Sequence, residues 1–326
     1  MGYARKSLVS LQDTPYYHLI GRCVRRAWLW GFDEYAGKDY SHRKQWVLDR
    51  LSRLSQAFAV DLCSYAIMSN HYHLVVRIDQ HRAAAWSTEE VIARWGLIFR
   101  IPPVIRLYQS GEATRAERQA AEKTLRTWRL RLHDVSWYMR CLNEYLARRA
   151  NAEDRCSGRF WESRFKSQAL LDDTGLVTAM AYVDLNPVRA GIAATPEASD
   201  FTSVKARIDT AAQTRAESPR LNLLPFKEDA HRPPYLPFTL KDYLQLLDWT
   251  GRQIRQGKRG HIDAAQPPIL ERLQIDQGAW QGMMRSRGNR FGRALGPLDH
   301  LRVHAITLAQ SWIRGLKQAA QLFPQS

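Results

Sequence analysis

The chain has 326 residues and a mass of 37.7 kDa, which is long enough for two domains. With 45% hydrophobic, 25% charged and 10% aromatic residues it can bury a sizeable core, which excludes disordered, collagen-like and low-complexity proteins. The 48 Lys and Arg residues outnumber the 32 Asp and Glu residues, and the formal charge of +16 favours a polyanionic partner such as nucleic acid over a surface that is merely solvated.

The sequence favours a cytoplasmic protein without a membrane partner. It contains no apolar run long enough to span a bilayer, and its first residues lack the apolar stretch typical of an export signal. The four cysteines stand far apart with no CxxC pair, which argues against a disulfide framework and a structural zinc site. We expect them to be reduced and buried.

The first half of the chain predicts a strand, a helix and two further strands. Residues 16–24 are rich in aromatic and β-branched side chains, and residues 43–58 carry apolar side chains at helical spacing. Residues 60–78 form two β-prone runs that are separated by a turn at 68–70. Ser87 and Glu90 have the spacing of a capping box, and 113–132 predicts a polar helix, so 80–133 is interpreted as a helical insertion.

The next segments complete one architecture. We predict a helix over 135–149, a strand over 159–170 and a helix from 173 to 186 that ends before Pro187. The order β-α-β-β-α-β-α indicates an α+β domain with a ferredoxin-like antiparallel sheet, covered by helices on one face and leaving the other face for a ligand.

The remainder of the chain differs in composition. Residues 212–235 are rich in proline and predict a linker or a crossover along the surface, which places the first domain at 1–211. Residues 236–326 alternate helical periodicity with Gly- and Arg-rich turns and predict a basic, mainly α-helical C-terminal domain. Residues 251–326 alone contain twelve basic and four acidic residues.

The triplet His71-Tyr72-His73 is the first candidate for chemistry. Residues i and i+2 of a strand project from the same face, so the two imidazoles stand side by side while Tyr72 points to the other face. Two imidazoles can share a metal ion, although an isolated HxH triplet is more often incidental.

The segment AYVDLNPVRAGI, residues 181–192, is the second candidate. Tyr182 and Asn186 are four residues apart and share a helix face, while Leu176, Met180 and Val183 form a core stripe. The alternative is that Tyr182 packs against the protein and Asn186 caps the helix before Pro187.

Several motifs occurring in one order carry a family resemblance. MSNHYHLVVRI, NEYLARRAN, SGRFWESRFKSQALL and AYVDLNPVRAGI follow one another, and together they resemble the REP-associated tyrosine transposases, which are single-tyrosine HUH nucleases. The resemblance covers roughly residues 14–205 and is interrupted by the insertion. The C-terminal region lies outside the family's minimal domain.

The resemblance implies a role for each motif residue. Tyr182 corresponds to the nucleophile, His71 and His73 to metal ligands, and Asn186 to the polar residue that completes a Mg²⁺ or Mn²⁺ site. It implies cleavage of single-stranded DNA at REP-type hairpins through a 5′-phosphotyrosine, strand transfer without ATP, and association with the nucleoid. A monomer is favoured over a dimer.

Basic side chains are candidates for DNA contacts, and Arg189 is the strongest because it lies close to Tyr182. In the tail, a cluster of arginines with Trp280 and Phe291 would suit phosphate contact and base stacking, and the equal alternative is a helix whose exposed face is rich in arginine; the arginines are Arg285, Arg287, Arg290 and Arg293. The rival interpretation is a nucleic-acid-binding protein without cleavage activity, although the strands lack the aromatic pattern of RNA-recognition sheets. The predicted DNA contacts are Arg189, Arg164, Lys166, Arg159, Arg22, Arg5, Lys6, Arg287 and Arg290.

Overall fold

The computed structural model describes residues 9–24, 31–33, 37–212, 221–229, 232–254, 267–285 and 292–324. The strands are β1 (Tyr16–Arg22), β2 (Phe32–Asp33), β3 (Lys38–Asp39), β4 (Val60–Ile67), β5 (His71–Ile78), β6 (Lys166–Leu170) and β7 (Ala294–Leu295). The helices up to the tyrosine segment are α1 (Arg43–Ala57), α2 (Gln80–Ala85), α3 (Thr88–Gly96), α4 (Pro103–Ser110), α5 (Arg115–Arg131), α6 (Val135–Glu153), α7 (Asp173–Asp184) and α8 (Asn186–Arg189). The later helices are α9 (Ser203–Ala211), α10 (Leu240–Ile254), α11 (Pro268–Arg272), α12 (Gln277–Arg285), α13 (Leu298–Thr307) and α14 (Leu316–Leu322). None of these described helices is long and apolar enough to cross a membrane.

The main sheet confirms the predicted ferredoxin-like α+β fold. Its strand order is β4-β5-β1-β6-β7, and each neighbouring pair among the first four strands is antiparallel. β1 and β4 are joined through α1, and β5 and β6 through the helices α2 to α6. β1 therefore pairs on both sides, with β5 and with β6.

Alternation along the strands divides the sheet into two faces. Tyr72 is fully buried and its hydroxyl donates to Asn143 of α6, which places α6 on that face together with α1. A Cβ on Gly21 would lie 2.5 Å from Cζ of Tyr72, so only glycine fits beneath this ring. The helix α7 packs on the opposite face, against β4, β5 and β6. The second face, which the sequence predicts to be free of helices, therefore carries α7. This helix packs there because its apolar stripe with Leu176, Met180 and Val183 is buried against the sheet.

The predicted strand over 159–170 is shorter in the structure, where β6 begins only at Lys166. Trp161 forms an isolated bridge with Cys23, while Lys166 pairs with Ile20. On β1, two residues, Gly21 and Arg22, separate Ile20 from Cys23. On the facing segment, four residues separate Trp161 from Lys166, so this segment has two residues too many for regular pairing and leaves the sheet. Arg159 and Arg164 consequently lie on a loop.

The helical character predicted for residues 80–133 is present as α2 to α5. Ser87 and Glu90 form the expected capping box at the start of α3. The rings of Trp95 and Trp128 stack at 4.6 Å between centroids and join α3 to α5. This segment therefore has its own aromatic core.

The C-terminal region is mainly helical, as predicted, and also completes the sheet. β7 pairs in parallel with β6, and Leu295 O would lie 2.5 Å from a Cβ on Gly175, so α7 and β7 approach closely. In the proline-rich segment, Leu224 donates its backbone N–H to the Leu62 carbonyl of β4, and Phe226 is buried. The described part of this segment thus follows the sheet edge, and the boundaries at 211 and 235 stay predictions.

Three of the four cysteines are buried, as expected. Cys23, Cys63 and Cys141 lie in the core, whereas Cys156 is exposed, which corrects the prediction for that residue. Cys156 follows the end of α6, where the chain turns at the surface.

A buried carboxylate ties the C-terminal region to α7. Asp184 is fully buried and accepts hydrogen bonds from the Ser203 hydroxyl, the Val204 backbone N–H and the Tyr243 hydroxyl, the last at 2.6 Å. Burial raises the pKa of this carboxyl, and the three donors oppose that effect. The contacts fix α7 against α9 and α10.

We expect Tyr243→Phe to lower the free energy of unfolding by about 1–3 kcal/mol, because it leaves one oxygen of Asp184 buried without its donor. Urea denaturation would measure this loss. Tyr235→Phe, at a half-buried tyrosine of the preceding segment, is the matched control and should change stability by less than about 0.5 kcal/mol. Equal effects of the two substitutions would contradict the role of the Asp184 contacts.

Candidate functional site

A cavity of about 1450 Å³ opens on the face of the sheet that carries α7. Its walls come from β1, β5 and β6, from the end of α7 with α8, and from the C-terminal segments 292–293 and 308–314. His71, His73, Tyr182 and Asn186 all line it. The structure therefore brings together the two motifs that the sequence separates by more than a hundred residues.

His73 lies at the centre of the polar contacts. Its Nε2 is 3.2 Å from Nδ2 of Asn186, and its Nδ1 is 2.8 Å from Nε2 of His18 on β1. His73 is 4% exposed and His18 is 1% exposed. The imidazole of His73 is thus held from both sides.

His71 stands beside His73, as strand alternation predicts. The two ring centroids are 5.0 Å apart and the rings are nearly perpendicular. Nδ1 of His71 lies 2.7 Å from Oδ1 of Asn70. This carboxamide oxygen accepts a hydrogen bond from Nδ1–H, which leaves Nε2 of His71 as the lone-pair nitrogen.

Burial keeps the three imidazoles neutral. It lowers the pKa of His18 to about 4, and burial together with the charge of Arg22 lowers the pKa of His71 to about 4. The pKa of His73 is held well below its ordinary value by burial first and then by the neighbouring His18 and His71. Neutral imidazoles are the form that binds metal ions.

Tyr182 lies among aromatic and cationic neighbours. Its ring centroid is 5.9 Å from that of His73 and 6.2 Å from that of His18. The guanidinium carbon of Arg189 lies 4.1 Å from the Tyr182 ring centroid, and Arg189 Nε donates to the Met284 carbonyl at 2.6 Å. The C-terminal helix α12 thereby positions the cation above the tyrosine.

The structure separates the predicted basic residues into three groups. Arg22, Arg164, Lys166 and Arg189 line the cavity. Arg159 is exposed on the loop before β6 and is not part of the described lining. Arg5, Lys6, Arg287 and Arg290 lie outside the described residues.

The predicted arginine and aromatic cluster of the tail is corrected in part. Trp280 is fully buried, and its Nε1 donates to Oγ1 of Thr250 at 3.0 Å, so its ring is unavailable for base stacking. Arg285 donates to the Gln253 carbonyl, whereas Arg293 lines the cavity. Phe291 lies outside the described residues.

Four polar or aromatic residues stand out among the cavity residues that sequence reasoning missed. His18 and Gln168 occupy paired positions on β1 and β6, and Trp312 and Arg314 lie on the C-terminal wall. In the sequence, His18 is recognisable only as a polar residue within a mainly apolar strand. Its contacts with His73 and Gln168 follow from the strand order, which the sequence pattern does not give. Trp312 is 66% exposed and had no motif around it.

The residues present fit a divalent cation that accepts mixed nitrogen and oxygen ligands. His71 and His73 offer neutral nitrogens on one face, and the Asn186 carboxamide presents its oxygen after a half-turn about its terminal bond. Within the described ranges, no group of three or more His, Cys, Asp and Glu side chains is arranged to hold a metal ion. The predicted set contains two such side chains and an amide, together with open space for water and a phosphate oxygen.

Comparisons with known proteins give one distant structural likeness. No family model matches the chain, and no curated protein matches it. A solved structure of a REP-associated tyrosine transposase bound to a REP hairpin matches over 72% of this chain and 99% of that chain, with 11% identity and a TM-score of 0.38. A likeness at that identity and TM-score assigns no function.

Proposed function

We propose that this protein is a metal-dependent single-stranded DNA endonuclease and strand transferase of the REP-associated tyrosine transposase type, a single-tyrosine HUH nuclease. The observation that carries the proposal is the meeting of Tyr182 and Asn186 with His73 and His71 at the wall of one basic cavity. A tyrosine nucleophile beside a pair of neutral imidazoles and an amide can support metal-assisted phosphodiester transfer.

In the proposed reaction, the phenolic oxygen of Tyr182 attacks phosphorus of the DNA backbone. The new bond joins this oxygen to phosphorus, the bond from phosphorus to the 3′ oxygen breaks, and the released 3′ oxygen takes a proton from water. The phenolic proton passes to the solvent of the open cavity. The guanidinium carbon of Arg189 lies 4.1 Å from the centroid of the ring and so places positive charge over the attacking tyrosine, where it can stabilise negative charge on the reacting groups.

His71, His73 and Asn186 would hold Mg²⁺ or Mn²⁺ in this reaction. When bound there, the cation would supply positive charge that polarises the scissile phosphate and offsets charge on its oxygens. The 5′-phosphotyrosine retains the energy of the phosphodiester, so the 3′ hydroxyl of another strand can displace Tyr182 by the reverse step without ATP.

The lining of the cavity suits a single strand. Positive charge comes from Arg22, Arg164 and Lys166 near the sheet and from Arg293 and Arg314 in the C-terminal segments of the lining. The exposed indole of Trp312 offers a stacking surface for a base, an interaction worth ~1–3 kcal/mol. Action on REP-type hairpins, as a monomer in the cytoplasm at the nucleoid, is part of the proposal.

We expect His71→Ala to reduce cleavage of a REP-type hairpin with a single-stranded flank by orders of magnitude in Mn²⁺, because one of at most three protein ligands is lost. Binding of the same oligonucleotide, measured by fluorescence anisotropy, should persist through the basic residues. His81→Ala, at an exposed histidine on α2, is the control and should cleave normally. Cleavage that withstands EDTA would refute the metal site.

We expect Tyr182→Phe to abolish the covalent adduct and leave folding and hairpin binding intact, since only the attacking oxygen is removed. A denaturing gel with a labelled oligonucleotide detects the adduct, and tryptic mapping by mass spectrometry locates the modified residue. Tyr145→Phe on α6 should form the adduct as the wild type does. An adduct on another residue would refute the nucleophile, and a wild-type chain that binds but forms no adduct would support the binding-protein alternative.

We expect the double substitution Arg293→Gln and Arg314→Gln to lower the salt dependence of single-strand binding. Each phosphate contact contributes about 0.7 to the slope of log K against log salt for a single strand, so two lost contacts reduce it by about 1.4. Arg118→Gln with Arg126→Gln removes the same charge from exposed positions of α5 and should leave the slope nearly unchanged. Equal slopes for the two double variants would place the strand elsewhere.

A further inference from the structure

A chain of buried polar contacts runs from His73 away from the cavity. Nδ1 of His73 lies 2.8 Å from Nε2 of His18, and Nδ1 of His18 lies 3.3 Å from Oε1 of Gln168. Nε2 of Gln168 then donates to the backbone carbonyl of Gly292 at 3.2 Å. These groups connect β5, β1, β6 and the C-terminal segment in one line across the sheet.

The Gly292 carbonyl, at the end of the line away from His73, decides which group donates and which accepts in each hydrogen bond. The carbonyl of Gly292 can only accept, so the amide group of Gln168 must face it and the Gln168 oxygen must face His18. That oxygen can only accept as well. The proton of His18 therefore resides on Nδ1.

The same logic continues to His73. His18 is 1% exposed, and its burial favours the neutral imidazole, in which Nε2 is an acceptor when Nδ1 carries the proton. Nε2 of His18 therefore accepts from Nδ1 of His73. Nε2 of His73 is left as a lone pair, directed at Asn186 and the cavity.

We propose that His18 and Gln168, anchored on the Gly292 carbonyl, are positioning residues that hold His73 in the Nδ1-protonated tautomer. Only that tautomer presents a lone pair to the site, so the line of contacts presets His73 as a ligand before any cation arrives. The consequence for metal binding rests on the proposed function, whereas the tautomer itself does not.

The anchor gives the C-terminal region a part in the site. Gly292 directly precedes Arg293, whose carbonyl accepts from the Ala169 N–H of β6, and β7 follows at Ala294. Docking of β7 on β6 therefore places the carbonyl that orients Gln168. A region that lies outside the sheet's four-stranded core thereby determines the protonation pattern of a residue in its centre.

The tautomer is tested in the metal-free protein by long-range ¹H–¹⁵N NMR of the histidine rings, with His73 assigned through His73→Gln. We expect the Nδ1–H form of His73 in the wild type, and a shift toward the Nε2–H form in His18→Leu. His18→Gln, which offers an amide oxygen to Nδ1 of His73, should restore the Nδ1–H form. An Nε2–H form in the wild type, or a spectrum of His73 unchanged by His18→Leu, would overturn the proposal.

Mn²⁺ binding, followed by the loss of the electron paramagnetic resonance signal of the free ion, gives the second measurement. Loss of such a supporting contact typically lowers metal affinity by ~10–100-fold. We expect that loss in His18→Leu and Gln168→Met, with recovery in His18→Gln and no change in His81→Leu. Circular dichroism verifies that each variant is folded.

The two measurements separate the inference from the proposed function. A wild type with the Nδ1–H form that binds no Mn²⁺ would refute the metal site and leave the tautomer assignment standing. A wild type that binds Mn²⁺ as tightly as His18→Leu does would refute the positioning role and leave the metal site standing.

Discussion

The double pairing of β1 is the constraint on which the rest of the site depends. β1 lies between β5 and β6, with Ile20 opposite His73 and His18 opposite Gln168. This register puts His18 diagonally beside His73 and directly beside Gln168 on a single face. A slip of one residue would turn His18 to the side of α6, where Tyr72 and Gly21 pack closely.

The helix that supplies the tyrosine is held to this face by polar and apolar contacts of different kinds. Leu176, Met180 and Val183 are fully buried and press α7 onto the sheet. At the C-terminal end of α7, Asp184 accepts hydrogen bonds from groups of α9 and α10. Asp184 lies two residues after Tyr182 and two residues before Asn186 in the chain. The buried carboxylate leaves little freedom to the turn between α7 and α8, so Tyr182 and Asn186 are fixed relative to His73.

The sequence predicts those parts of the site that depend on the period of a single strand or helix. Strand alternation separates His71 and His73 from Tyr72, and helical spacing unites Tyr182 and Asn186, so those positions follow from period alone. The order of elements also predicts the ferredoxin-like sheet. The start of β6 is different. The two extra residues between Trp161 and Lys166 can be recognised only once Cys23 is known to pair with Trp161 and Ile20 with Lys166.

Contacts between distant segments explain what the sequence could not supply. The neighbouring aromatic and basic residues of the tail predict a stacking role for Trp280. In the structure its indole N–H instead donates to the hydroxyl of Thr250 on α10, thirty residues earlier in the chain. His18 and Gln168 are 150 residues apart and belong to no common motif. Side chains whose role depends on a partner across the sheet carry no periodic signal.

The basic residues of the cavity affect the protonation of the histidines that lie beside them. Arg22, Arg189 and the neighbouring basic groups raise the positive potential, which favours a phosphate backbone and opposes protonation of the histidines. Burial acts on the imidazoles in the same direction. A charged imidazole here would be repelled by the arginines, so the positive surroundings favour the neutral form of His71 and His73, which is the form that can bind a metal ion. Under the proposed function, the positive charges that would gather the DNA act together with burial to keep His71 and His73 neutral, and the line through His18 and Gln168 decides which nitrogen of His73 is presented.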